Sequence, residues 1–207
     1  MTDVRIHPTA EVDETAHVGE DSVVWHLAQV REDAVVGSGC VLGRGAYVGP
    51  GVRIGDCVKV QNHALVYEPA VIGDFCFIGP GAVITNDRFP RSTDPSGLPK
   101  SSDDWEAEAA RVMNGASIGA CAVIVGGVTI GAWAMVGAGA VAVKDVPAHA
   151  LVVGNPARQL GWVGRSGKRL EKDSGVWVCP ETSDRYREDA YGLQLITVEE
   201  PPGIPQV

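Results

Sequence analysis

Aromatic side chains are scarce, at 6% of 207 residues. A chain so poor in large rings does not fill a wide interior and must bury small aliphatic groups in thin layers. Cations are also few: 17 Lys and Arg oppose 26 Asp and Glu, giving a formal charge of −9. That excess argues against nucleic acid and anionic membrane as partners. Cysteine is limited to 5 residues, an odd number that cannot all pair within one chain. Met1 to His7 lacks the apolar run of a secretory signal, so a reducing, cytoplasmic setting is expected.

Hydrophobic residues, by contrast, reach 45%, and Gly occupies 26 positions. Disorder is excluded by the first figure. Val112 to Val143 carries no charged side chain and is longer than a membrane-spanning helix needs, but Gly115, Gly119, Gly126, Gly127, Gly131, Gly137 and Gly139 interrupt it. Its aliphatics also recur every six residues, not every three or four. The same period runs from Ile6 through Val24, Leu42, Val60 and Ile78 to Ile84 without a miss, with a small residue such as Ala28, Ala46 or Ala64 four places after each aliphatic. It breaks at Arg88 and resumes, shifted in phase, at Val112. This suits a chain that runs a short strand, turns a corner and repeats, with Gly after the aliphatic, as in Val36-Gly37 and Ile54-Gly55, expected to relieve the corner backbone.

The pattern resembles the hexapeptide-repeat acyltransferases over roughly residues 6–160. The resemblance implies an all-β fold: a left-handed parallel β-helix of triangular section, three hexapeptides per coil. It also implies a homotrimer, with acyl donor and acceptor bound in grooves between subunits. Residues 1–160 are then the acyltransferase domain, carrying a polar inserted loop over about 87–111. From Gly161 to Val207 the period disappears and charge rises. Segments 175–180 and 191–196 are expected to form a small hairpin that caps the last coil. Cys40 and Cys76 fall in small inward slots, and Cys121 lies next to one.

With three hexapeptides per coil, residues 18 apart stack one strand spacing of about 4.8 Å from each other. Glu68 and Asn86 are such a pair, each two places after its aliphatic, with Asp87 beside them at the start of the insertion. The wording narrows the family further. Val60-Gln-Asn-His-Ala-Leu-Val-Tyr-Glu68, Phe77-Ile-Gly-Pro80, Thr85-Asn-Asp-Arg-Phe-Pro-Arg-Ser92, Trp25-His26, Asp104-Trp105 and Gly154-Asn-Pro-Ala-Arg158 look like the bacterial nucleotide-linked amino-sugar N-acetyltransferases. In those enzymes acetyl-CoA acylates the C3 amine of a UDP- or dTDP-sugar. His63 departs from the Asn-Asn pair that relatives often carry at Asn62-His63.

The resemblance implies Glu68, Asn86 and Asp87 as catalytic candidates, with His63 as a rival base. It implies His26, Gln61, Asn62, Tyr67, Arg88, Arg91 and Trp105 as contacts to the sugar nucleotide. For acetyl-CoA, Gly119 and Gly137 are 18 apart and would let the pantetheine arm approach, while Lys144 and Arg158 oppose its phosphates. No metal is expected: His7, His17, His26, His63 and His149 include no pair five residues apart, the spacing of the zinc-dependent hexapeptide anhydrases, and Cys179 has no second Cys nearby. The alternatives are a sugar O-acetyltransferase with His63 as base, and a non-catalytic β-helix that binds a partner. No Thr-rich column marks an ice-binding rod.

Overall fold

The computed structural model describes residues 3–197. Two-residue strands recur every six positions from Arg5–Ile6 to Val83–Ile84, and again from Arg111–Val112 to Val141–Ala142. Each pairs in parallel with the strand three places along, as in Lys59↔Phe77 with Val60↔Ile78 and Leu65↔Val83 with Val66↔Ile84. The chain therefore winds as the left-handed triangular β-helix expected. Its first face contains Lys59–Val60, its second Leu65–Val66 and its third Val71–Ile72. Residues 61–63, 67–69 and 73–75 turn the first, second and third corners of that coil.

In each strand one residue points in and one out, so the aliphatic of every hexapeptide fills the axis and the small residue before the strand fits beside it. From Val24 to Val136 every inward aliphatic of the repeat is at most 3% exposed, whereas Ile6, at the open end, is 44% exposed. Truncating one of these, Ile118→Ala for example, would cost about 2–5 kcal/mol. Cys40 and Cys76 sit in this core, and burial pushes the Cys76 thiol up to about 11.

The glycines after the aliphatics have a different cause from the one expected. Gly37, Gly55 and Gly73 do not take positive φ; a Cβ on Gly37 would lie 2.6 Å from the Gly55 carbonyl carbon of the next coil. Close coil stacking excludes the side chain. Positive φ falls two residues later, at Leu27, Cys57, His63, Phe75, Cys121 and Trp133. At the third corner a side-chain ladder satisfies the amides: Ser38 N–H donates to Asp56 Oδ1 at 2.7 Å, Asp56 N–H to Asp74 Oδ1 at 2.9 Å, and Asp74 N–H to Asn114 Oδ1 at 3.2 Å.

The insertion leaves from the second corner. Ala110 already fills a small inward slot, and Arg111–Val112 pairs with Val71–Ile72 on one side and Thr129–Ile130 on the other. The excursion thus ends before Ala110, slightly earlier than the sequence suggested, because the resumed repeat needs that slot filled. Within it Asp94 Oδ1 accepts from Ser96 and Leu98 N–H, and Ser101 with Asp104 forms a capping box on a short turn of helix.

Beyond the last coil, Ala150–Val153 turns back antiparallel to Arg158–Trp162. The cap that follows is a four-stranded antiparallel sheet, not a single hairpin: Glu171–Asp173, Val176–Val178, Arg185–Asp189 and Gly192–Thr197 in that order. The two segments expected to pair are separated by Arg185–Asp189, a charged strand with no hydrophobic period. Residues 198–207 of the expected extension lie outside the described residues. Gly192 meets the Ala148 backbone so closely that no Cβ fits, which docks the sheet on the coil end. Among the described residues no helix is long and apolar enough to cross a membrane.

The cap joins the helix around His149, whose ring packs edge-on to Tyr186 at 4.9 Å and whose Nδ1 lies 2.9 Å from the Val163 carbonyl. Burial, with help from Arg165 and against the Val163 bond, holds this imidazole below its ordinary value of 6.5. The unfolded chain takes up a proton near that pH while the folded ring stays neutral. Stability is therefore complete above about pH 6.5 and declines as pH falls below it. His149→Asn keeps a donor for Val163 and tolerates the positive φ here. Melting temperature measured between about pH 7.5 and 5.5 should fall less steeply in that variant than in the parent.

Candidate active site

The second corner gathers the carboxylate and amide candidates. The pairing of Val66 with Ile84 sets Glu68 over Asn86 in successive coils, and Tyr67 N–H donates to the Ile84 carbonyl at 3.1 Å. The Glu68 carboxylate turns back against Gly49 of the preceding coil, where a Cβ would collide with it. Glu68 Oε2 is buried there without a hydrogen-bond partner among the described residues. Tyr67 packs against Tyr47 at 5.3 Å, and the Tyr47 hydroxyl is raised by burial and then by the Glu68 charge.

Asn86 holds the insertion's neck. Its carbonyl accepts from Glu108 N–H at 2.8 Å, and its backbone lies against Gly126, where a Cβ would sit 3.0 Å away. Asp87 Oδ1 accepts from Phe89 N–H at 2.7 Å and so braces the loop's first turn. Arg88 is occupied within the chain: it pairs with Glu108 Oε2 at 3.8 Å and reaches the Val143 carbonyl at 3.5 Å. Arg91 is exposed and donates to the carbonyl of its neighbour Pro90, while Trp105 caps the short helix with 36% of its surface exposed.

The other candidates occupy the first corner, across the second face from Glu68. Asn62 Oδ1 accepts from Arg44 N–H at 2.9 Å, Gln61 precedes it, and His63 lies over Gly45 with its Nε2 3.4 Å from Arg44 Nη1. Two coils back, His26 stacks on His7 at 3.5 Å beside Trp25, over which Arg5 sits at 4.8 Å. The structure therefore does not bring His63 and Glu68 together within one chain.

Toward the C-terminus Lys144 continues the second-corner column below Asn86 and Gly126. Lys144, Arg158, Gln159 and Asp145 share a cavity of about 320 Å³. Gly119 and Gly137 have a packing cause of their own: a Cβ on Gly119 would lie 2.7 Å from the Gly137 carbonyl carbon, and one on Gly137 2.9 Å from Val153. Among the described residues no group of three or more His, Cys, Asp and Glu is placed to hold a metal ion.

Two site residues escape a sequence reading for identifiable reasons. Arg44 stands 18 before Asn62, the spacing that pairs Glu68 with Asn86, and that signal was open to use. Glu108 lies within the insertion, where counting by coils does not apply.

Residues 15–53, 33–68 and 51–86 match the bacterial transferase hexapeptide (six repeats) family. The matched stretch, residues 15–86, lies within the six-residue coils described above. Over 86 residues the chain is 46% identical to dTDP-3-amino-3,6-dideoxy-alpha-D-galactopyranose 3-N-acetyltransferase of Aneurinibacillus thermoaerophilus, covering 41% of the chain and 44% of the relative. Over 79 residues it is 40% identical to serine acetyltransferase 4 of Arabidopsis thaliana, covering 37% and 22%. The chain thus spans less than half the length of these curated relatives. Among solved structures it resembles the acetyltransferase domain of PglB from Neisseria gonorrhoeae FA1090 in complex with acetyl coenzyme A, with TM-score 0.50, 28% identity, and coverage of 76% of this chain and 57% of that one.

The unpartnered Glu68 oxygen yields a stability prediction. Removing the charge from a buried acceptor that nothing satisfies relieves a desolvation cost. Glu68→Gln should melt at the same temperature as the parent or higher, read by thermal denaturation monitored by circular dichroism. A drop of several degrees would show that the carboxylate supports the fold.

Proposed function

We propose that this chain is an N-acetyltransferase that moves an acetyl group from acetyl-CoA to the amine, at C3, of a UDP- or dTDP-linked amino sugar. The observation that carries the reading is the second corner: a carboxylate with a buried, unclaimed oxygen stacked over Asn86, whose side chain makes no hydrogen bond to a described residue. Asn86 stands at the root of the long insertion, one coil from Glu68. Such a pair suits a substrate ammonium and amine that supply the missing donors. The amino-sugar relative and the acetyl-CoA-bound PglB domain support the same chemistry.

Amide formation from a thioester asks little of the protein beyond orientation and a path for a proton. Glu68 holds the amine, Asn86 bonds the sugar or the thioester carbonyl, and Asp87 fixes the turn between them and the loop. The neutral amine attacks; the C–N bond forms as the C–S bond breaks, and the nitrogen's proton goes to the departing thiolate. Lys144 and Arg158 offer charge to the coenzyme phosphates. The bare first-corner stretch containing Gly119 and Gly137 leaves room for the pantetheine arm.

A second copy completes the site. His63 and Glu68 sit on different corners, and the outer side of the second face between them is apolar over five successive strands: Tyr47, Leu65, Val83, Val123 and Val141. A homotrimer that covers this face would align one copy's first corner with another's second corner. All 5 cysteines are free, in keeping with a cytoplasmic enzyme. Light scattering at micromolar concentration should give three times the chain mass of 21.7 kDa. A monomer would remove the shared groove.

Amine and hydroxyl chemistry separate in a thiol-release assay with UDP- and dTDP-linked amino sugars. Glu68→Gln and Asp87→Asn should lower turnover about tenfold to several hundredfold, the range for lost hydrogen bonds to charged groups. His63→Asn should be mild by comparison, since Asn keeps a polar contact and a neutral amine needs no imidazole base. The rising limb of the pH profile should follow the substrate amine and not an enzyme imidazole. Collapse of His63→Asn with near-normal carboxylate variants would instead favour an O-acetyltransferase, the chemistry of the serine acetyltransferase relatives.

A further inference from the structure

The first corner changes character along its length. In the N-terminal coils it carries His7, Trp25, His26, Arg44, Gln61, Asn62 and His63; beyond them it is reduced to Gly79-Pro80-Gly81, Gly119-Ala120-Cys121 and Gly137-Ala138-Gly139. His26, Arg44 and His63 follow one another on three coils. Gly45 N–H donates to the His26 carbonyl at 2.9 Å, and His63 N–H to the Arg44 carbonyl at 2.9 Å.

The Arg44 guanidinium on this edge has no carboxylate partner among the described residues. The ion pairs among the described residues engage Arg31, Arg88, Arg165 and Arg185, none of them on this edge. In a chain of formal charge −9, a guanidinium beside the His63 imidazole, one coil from His26 and with no carboxylate partner, calls for an anion from outside. The arrangement is also built. Asn62 Oδ1 pins the Arg44 backbone at 2.9 Å, and Gly45 lacks the Cβ that would lie 2.6 Å from His63 Nδ1. Three coils span about 10 Å, the reach of a diphosphate and the atoms on either side.

We propose that Arg44, flanked by His63 and His26, binds the diphosphate of the nucleotide-linked substrate. The proposal rests on the function given above and adds the group that anchors that substrate. In the homotrimer proposed above, Arg44 of one copy lies one coil on the N-terminal side of Glu68 of the copy across the groove, a step of about 4.8 Å along the axis, comparable with the width of a sugar ring between its anomeric oxygen and an amine at C3. His63 is then a contact to phosphate and not a base. Acetyl-CoA also carries phosphates, but Lys144 and Arg158 lie at the opposite end of the helix, so the two substrates enter from opposite ends.

Isothermal titration of the full chain with dTDP, UDP, their nucleosides, inorganic pyrophosphate and CoA tests this. The nucleoside diphosphates and pyrophosphate should bind, and the nucleosides far more weakly. Arg44→Gln should weaken diphosphate binding about tenfold to a hundredfold, as expected for a lost charge-assisted contact to phosphate. Arg44→Lys should recover part of it, Arg111→Gln on the third face should change nothing, and CoA affinity should be the same in all. Because Arg44 is exposed, an unchanged melting temperature will confirm an intact fold. Diphosphate binding unaffected by Arg44→Gln, or an effect confined to CoA, overturns the proposal even where amino sugars are acetylated. Diphosphate binding that depends on Arg44 without acetyl transfer to any amino sugar would uphold the anchor and reject the proposed reaction.

Discussion

Each coil hydrogen-bonds directly to the next, and the spacing of that ladder governs every other feature. Parallel pairs such as Lys59↔Phe77 and Leu65↔Val83 leave one strand width between turns, so the corner backbones touch. Gly37, Gly55, Gly119 and Gly137 lack side chains because the neighbouring coil occupies the space. The axis is so narrow that one aliphatic per face fills it, which explains a core of Val, Ile and Ala and the scarcity of aromatic residues.

The repeat was legible because its constraint is strictly periodic. An inward aliphatic every six residues and a stack every 18 put Glu68 over Asn86 from the sequence alone. What lay outside the period was not legible. The insertion shifts the count, so that Asn114 answers Asp74 across 40 residues, and Glu108 closes on Asn86 by a backbone bond with no sequence signature. In the cap the apolar segments 175–180 and 191–196 stand out in the sequence and suggest one hairpin, while the central strand Arg185–Asp189 is mostly charged and buries chiefly Tyr186. The glycine signal was real but misattributed: at Gly37 the requirement is steric exclusion, and the left-handed turn residue comes two places later.

Two assignments change meaning once side chains are placed. Arg88, which resemblance gives to the substrate, is held by Glu108 and the Val143 carbonyl and acts as a clasp on the loop's neck. His63, a rival base by analogy, stands beside Arg44 on a corner that Glu68 does not share. In both cases the residue type was informative and its neighbours decided its use.

The insertion has a broader consequence. It departs after Asn86 and returns at Ala110, yet Arg111–Val112 still pairs with Val71–Ile72 in the register that an uninterrupted turn would have. The scaffold therefore behaves as a ruler with fixed graduations: material added at a corner alters what is displayed there without moving the marks above or below. Distances along the edge change only in whole steps of about 4.8 Å. Evolution of such a chain can exchange one corner excursion for another and retain the spacing between Arg44 and Lys144, or delete a full turn and shorten that spacing by one graduation.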